Sequence, residues 1–482
     1  MHLSISLRIL GILLMLFSSA MIAPLILALL ADDNTITGFL SALCISFLSG
    51  LALWLPARGS RHELRIRDGF LITSLFWVVL GLFGALPFAL TDSLQLSPLE
   101  SIFESISGLT TTGATVIVGL DTLPQSILLY RQLLQWMGGI GIIVVAVAIL
   151  PLLGIGGMQL YRAETPGPSK DSKLTPRITG TAKALFTVYM GLTVACALAY
   201  YMAGMSGFDA ICHAFSTVAI GGFSTHDASM GYFDSDIILA ICSVFMVISA
   251  INFGLHFHAW QRRNMTTYTK DSETRFFLSV LLIGVLITCI YLLTSETLDH
   301  SESLIHGIFQ AISITTTTGF ATQDFSSWPT FLPIMLIMFS FMGGCVGSTG
   351  GGMKAMRLML IYKQGLRELR QLVHPQAVIP LKVGKRRVEA TVVSAVWSFF
   401  AVYVITYIAI MLVLMATGLD FTTAFSATAA SLNNLGPGLG AVASNYSQVG
   451  DTAMGVLCFA MLLGRLEIFT LLVLFTPAFW RP

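Results

Sequence analysis

Four short stretches carry residues suited to holding a dehydrated cation. They are Thr110, Thr111, Thr112 and Gly113; Ile220, Gly221 and Gly222; Thr317, Thr318 and Gly319; and Asn434, Leu435 and Gly436. Each ends on a glycine, and these glycines recur roughly one hundred residues apart, the mark of an internal repeat. The chemistry on offer is that of the backbone. Glycine tolerates φ > 0, so successive carbonyls can be aimed to one side of the chain. Rings of such oxygens replace the water shell of an alkali cation. A single TTTG means little in an apolar chain, where threonine and glycine are common. Four copies at one period, each between two long apolar runs, are harder to dismiss.

Two further features lie in the third and fourth copies. Gly343, Gly344, Gly347, Gly350, Gly351 and Gly352 crowd one short run, with Cys345, Val346, Ser348 and Thr349 between them. Each glycine costs roughly 1 kcal/mol relative to alanine inside a helix, so the apolar run is expected to break there. Non-helical backbone at membrane depth must line protein or a wet cavity. Close helix packing through Gly343, Gly347 and Gly351 is the alternative. Arg465 falls in the middle of the last apolar run. An arginine there costs about 2.5–3.5 kcal/mol on insertion scales, so it faces the interior or water and has a partner. Glu467 would point to the opposite side of a continuous helix; an ion pair with a more distant carboxylate remains the structural alternative.

Enzyme chemistry has no foothold. The motifs G-x-S-x-G, H-E-x-x-H and G-x-x-x-x-G-K-[ST] are absent, and GSTGGGMK at 347–354 has the wrong spacing for a phosphate loop. No reaction, no bound nucleotide and no nucleic acid are expected of this chain. His256 and His258 diverge on a helix. The seven cysteines include no C-x-x-C pair and read as buried thiols.

The elements that must position these residues follow from composition. The chain has 482 residues, 55% apolar and 11% charged, with a mean hydropathy of +0.81. That is the profile of an integral membrane protein. A helix of about 11 residues precedes each glycine stretch, roughly 16 Å long and half of a ~30 Å hydrocarbon core. It can only dip in and return. Its carboxyl end carries roughly −0.5 of an elementary charge, directed at the centre, where a cation is stabilised.

Two spans are expected at 7–30 and 36–55, the first too long for a cleaved signal. Outer helices are expected at 69–90, 181–203, 276–294 and 390–416, and inner helices at 124–153, 236–260, 329–362 and 449–479. This gives ten spans with both termini on one side. The units are 1–67 for the two leading helices, then 68–157, 158–260, 261–362 and 363–482 for the repeats. The 26 basic and 25 acidic residues separate in space. The linkers hold Arg58, Arg61, Lys170, Lys173, Arg262, Arg263, Lys382 and Lys385, among others, whereas the opposite face holds Arg131 against many acidic residues, including Glu104, Asp121, Asp209, Asp227 and Asp324. The basic side is cytoplasmic. The acidic face concentrates cations at a mouth.

TTTGATV, AIGGFST, ITTTTGFAT and NNLGPGLG resemble the four filter segments of the Trk/Ktr/HKT superfamily of potassium transport proteins. The likeness covers essentially the whole chain and is nearest to the translocating subunits of bacterial Trk systems. It implies an all-α integral membrane fold: four parallel helix–pore-helix–filter–helix repeats in pseudo-fourfold arrangement around one pore, plus two N-terminal helices. It implies K+ as the transported ion, held only at the filter carbonyls, in a bacterial inner membrane. Glycine at Gly113, Gly222, Gly319 and Gly436 goes with potassium in this family, and serine at the first position with sodium preference. The glycine-rich run is implied to gate the path, with Arg465 projecting into the cavity beneath the filter. A homodimer embedded in membrane lipid is implied, over cytosolic nucleotide-binding regulatory subunits with RCK-type domains (TrkA-like). The long basic linkers 159–181 and 363–388 would be their docking surface. The fourth copy departs most from the pattern, and unequal carbonyl rings discriminate less sharply. Passage of K+ and Rb+ with some Na+ is therefore expected. No relay of buried carboxylates is evident, which favours passive flux. The rival reading is an ion-coupled transporter of a small solute, but such proteins pair inverted halves, not four parallel copies.

Overall fold

The computed structural model describes residues 3–59, 66–144, 178–384 and 386–481. The expected linker at 159–181 lies almost wholly outside them. The protein is a multi-pass membrane protein built from helices. Leu3–Ser18 and Ile22–Ala31 run on through one 3-10 turn, and Ile36–Ala57 returns beside them. Gly11 and Gly50 let these two rods touch: a β-carbon on either would lie 2.6 or 2.8 Å from the other's carbonyl oxygen.

Four similar units follow. Each opens with a long apolar helix: Ile66–Gly84 extended by Leu86–Ala89, then Ile178–Met202, Ser272–Ser295 and Ala390–Ala416. Each continues with a short helix: Pro98–Leu109, Gly207–Ala219, His300–Thr315 and Phe421–Leu432. A non-helical stretch leads from it to an inner helix: Gln125–Val144, Asp236–Ser249, Phe331–Ser340 and Asp451–Arg465. Among the described residues, six helices are long and apolar enough to cross a bilayer, or eight if each bent pair counts as one span. Gln125–Val144 runs to the edge of the described residues.

Three inner helices are broken: the third at its glycine-rich run, as expected, and the second and fourth, which were expected to be continuous. The second bends by 94° between Ser249 and Phe253, and the fourth by 110° between Arg465 and Phe469. The third stops at Ser340 and resumes only at Ala355, running on to Val373. Each break exposes backbone that something else must meet. Ala250 O accepts from Cys345 N, and Gly347 O accepts from Phe253 N, so the second and third breaks satisfy one another. At the fourth break Glu467 and Ile468 adopt φ of +54° and +55°. Arg465 therefore ends a helix and does not sit in mid-span.

The expected linker at 363–388 is half helix. Its remainder folds into a small hairpin in which β1 (Lys382–Val383) pairs antiparallel with β2 (Arg386–Arg387). One apolar core joins the leading helices to the first and fourth units and part of the third; another joins the second and third.

Candidate cation filter and the loop beneath it

The short helices are started by local chemistry. Ser97 accepts from Glu100 N while the Glu100 side chain accepts from Ser97 N, a capping box with Pro98 at the first turn. Ser206 and Asp420 cap the second and fourth in the same manner, accepting from Asp209 N and Thr423 N. At 12, 13, 16 and 12 residues, they are too short to cross a bilayer.

All four end alike. Thr112 N donates to Ser107 O, Gly221 N to Ser216 O, Thr318 N to Ser313 O and Leu435 N to Ala430 O, at 2.7–2.9 Å. The residue before each donor is left-handed: Thr111, Ile220, Thr317 and Asn434, with φ of +53°, +54°, +66° and +53°. This is the turn that glycine ordinarily makes at a helix end. A β-branched residue in that conformation is an outlier, and strain of this kind, of order 1–3 kcal/mol each, persists only where surroundings impose it. Two residues on, Gly113, Gly222, Gly319 and Gly436 are left-handed again, at +84°, +79°, +84° and +98°.

The glycines reveal how the four stretches meet. A β-carbon on Gly113 would lie 2.1 Å from Gly221 O; on Gly222, 2.1 Å from Thr318 O; on Gly319, 2.1 Å from Leu435 O; on Gly436, 2.7 Å from Thr112 O. The contacts run from the first stretch to the second, third, fourth and back to the first. Each oxygen belongs to the residue just before a key glycine. Above them lies a cavity of about 320 Å³ lined by all four glycines, with Asp227, Asp324, His226 and Tyr446 among its walls.

Buried polar side chains brace this ring. Glu104, on the first short helix, accepts from Val116 N at 3.0 Å and pairs with Arg131 Nε at 2.8 Å. Arg131 also donates to Ser224 O and Thr115 Oγ1 and lies over the Phe223 ring. Both members of the pair are fully buried. The charge pattern placed them on the outer face; the structure places them within the protein, behind the first two stretches. Breaking a buried pair costs about 3–5 kcal/mol because the survivor is left unpaired. Glu104→Ala is thus expected to lower the thermal unfolding temperature of the purified protein sharply. Glu104→Gln, which keeps an acceptor for Val116 N, should lower it less. Gln135 Nε2 donates to Gly221 O at 2.6 Å, and Tyr446 Oη to Gly436 O at 2.8 Å.

At the mouth, His226 Nδ1 lies 2.5 Å from Asp121 Oδ1, its Nε2 lies 3.5 Å from Asp209, and its ring stacks on Tyr232. The hydrogen bond from His226 holds Asp121 below the ordinary carboxylate range.

Beneath the ring runs the glycine-rich segment, which is not helical between Phe341 and Lys354. Gly343, Gly347 and Gly352 have positive φ, as does Lys354 at +74°. A β-carbon on Gly343 would meet Gly351 O, and one on Gly344 would meet Ser348 Oγ. Packing of Gly343, Gly347 and Gly351 along a continuous helix is therefore ruled out. The segment touches the carboxyl ends of three short helices. Thr349 Oγ1 donates to Val218 O at 2.9 Å, Gly352 N donates to Asn433 O at 3.0 Å, and Gly350 lies against Thr316 O. Gly351 N donates to Thr317 Oγ1 at 2.8 Å.

Arg465 is buried and donates from Nη1 to Thr349 O and from Nη2 to Gly138 O, each at 3.1 Å. Among the described residues no carboxylate pairs with it. Glu467 pairs instead with Arg357. Two cations of this region went unremarked in the sequence: Lys354, whose Nζ donates to Gly350 O, and Arg357. A lysine and an arginine just after a glycine cluster read as ordinary charges flanking a span.

A family model described as "TrkH: Cation transport protein" matches residues 35–481. The chain is 56% identical to the Trk system potassium uptake protein TrkH of Halomonas elongata, with all of both chains covered. It is 52% identical to TrkH of Escherichia coli K12 over the full length of both, and 42% identical to the TrkG protein of that organism, covering all of this chain and 99% of the relative. The crystal structure of the potassium transporter TrkH from Vibrio parahaemolyticus superposes with a TM-score of 0.92 at 52% identity, covering all of both chains. The chain belongs to the TrkH family of cation transport proteins.

Proposed function

We propose that this protein is the potassium-translocating pore subunit of a bacterial potassium uptake system. The cyclic contact of the four glycines with the four preceding carbonyls carries the reading. Oxygens of Thr112, Gly221, Thr318 and Leu435 form one ring around an axis, and a K+ stripped of water sits against it. Units 68–157, 158–260, 261–362 and 363–482 are the four quarters of a pseudo-fourfold pore, with 1–67 packed outside. The relatives' names, potassium uptake proteins at 52–56% identity, support the choice of ion.

The segment beneath the ring closes the path. The carboxyl ends of the short helices would stabilise a cation in the space below. Here Thr349 and Gly352 donate to those carbonyls instead, so the segment occupies the place and the partners of the ion. Arg465 adds a fixed positive charge and a tether. The chain crosses a bacterial inner membrane ten times, with both termini cytoplasmic. It works as a homodimer with a cytosolic nucleotide-binding subunit of RCK type, for which a name including "Trk system" gives support.

Flux through the purified protein in liposomes tests this. Rubidium and potassium should enter down their gradients, sodium more slowly, and excess amino acid or sugar should not compete. Competition by such a solute would favour the coupled-transporter alternative.

A further inference from the structure

Glu273 is a buried carboxyl side chain outside the ring and its braces. It sits in the first turn of the third outer helix, Ser272–Ser295, and only 5% of it is exposed. Its Oε1 accepts two backbone hydrogen bonds, from Val346 N at 2.7 Å and from Met356 N at 3.2 Å. These amides stand on opposite sides of the glycine-rich tip. Val346 lies on the way in, and Met356 is in the first turn of the helix that resumes at Ala355. An amide in a first helical turn has no partner within its own helix, and a carboxylate there faces the positive end of the helix. Val346 N likewise has no helix to serve it. One oxygen therefore answers both needs, and in doing so joins the two legs of the segment to a third element.

We propose that Glu273 is a positioning residue that clamps the base of the segment in its closed arrangement. The inference rests on the gating role given to that segment above. Arg465 holds the tip, through Thr349 O; Glu273 holds the legs. The backbone bonds Ala355 N to Gly344 O and Met353 N to Phe341 O draw the legs together, and among the described residues Glu273 is the outer-helix side chain that hydrogen-bonds to them. Without it, the legs keep those internal bonds and their bonds to Ala250 and Phe253 but lose their hydrogen-bonded anchor on the outer helix, which weakens the closed arrangement.

The test is rubidium flux through the purified full chain in liposomes. Four proteins are compared with the wild type: Glu273→Ala, Glu273→Asp, Glu273→Gln and a deletion of Gly347–Gly351. Loss of two buried hydrogen bonds should raise flux about tenfold or more in Glu273→Ala. The shorter Glu273→Asp cannot reach both amides and should rise partway, which keeps the test open if the alanine variant does not fold. Glu273→Gln retains an oxygen that can accept both bonds and should stay near the wild type. A merely structural role would give lower flux and no rescue by glutamine. The potassium-to-sodium ratio should not change, since the ring is untouched. If the deletion raises flux while Glu273→Ala and Glu273→Asp remain as closed as the wild type, the clamp is wrong and the gate stands. If Glu273→Gln leaks as much as Glu273→Ala, the hydrogen-bond account is overturned. If even the deletion leaves the protein shut, the gating role falls and the clamp with it.

Discussion

Replacing Gly113 with serine is expected to cut potassium flux and raise sodium permeation relative to potassium by about tenfold, the effect of a 1.4 kcal/mol change in preference. The backbone there has φ of +84°, a region that costs an L-residue roughly 1–2 kcal/mol. The larger effect is steric. The new β-carbon would lie 2.1 Å from Gly221 O, and the offending atom is a backbone oxygen of the proposed ring, so relief requires that oxygen to move. A ring with one oxygen displaced is looser and less symmetric, and fits the larger ion less well. Gly222 and Gly319 face the same 2.1 Å contact, whereas Gly436 has 2.7 Å. The expected ranking is therefore serine at Gly113, Gly222 or Gly319 as severe, and at Gly436 as mildest. Bi-ionic reversal potentials of the four variants check this. Equal and unchanged permeability ratios at all four would remove these glycines from the filter.

Much of this arrangement was legible because a glycine at a fixed offset from a short helix recurs in four copies, two of them with a threonine run before it. The left-handed residues two places before each glycine were not. Thr111, Ile220 and Thr317 are β-branched, and such residues argue against positive φ; only the closed ring around them imposes it. The breaks in the second and fourth inner helices were equally hidden. Ser249–Asn252 and Leu466–Ile468 contain neither proline nor glycine, and their backbone is released because distant segments, such as Cys345 N at Ala250 O, meet it. By contrast, the glycine-rich break announces itself, since six glycines cannot hold a helix. The charge pattern misleads in particular. Arg131 and Glu104 carry the signature of a solvated face, yet each is buried against the other, a pairing between residues of two different helices that no local pattern encodes.

Arg465→Ala is expected to produce the largest gain of function, a rise in flux of about tenfold or more in protein without any regulatory partner. The guanidinium spans two elements, donating to Thr349 O in the segment below the ring and to Gly138 O in the first inner helix. Hydrogen bonds from a charged donor contribute roughly 1.5–3 kcal/mol each, so their loss weakens the closed arrangement by more than one factor of ten. The substitution also removes a fixed positive charge from the proposed path, which should lower the barrier to a cation once the segment has moved. Arg465→Lys separates these effects. Lysine keeps the charge but presents a single compact ammonium in place of the planar fork that reaches both carbonyls. If tethering dominates, the lysine variant should leak nearly as much as alanine; if the charge dominates, it should stay shut. Either result leaves Arg465 in the gate. A loss of flux in the alanine variant, with normal elution and thermal unfolding, would assign the arginine to the framework instead. Its two carbonyl contacts would then be what holds the fourth inner helix at its bend, and the closed path would have to be explained by the glycine-rich segment alone.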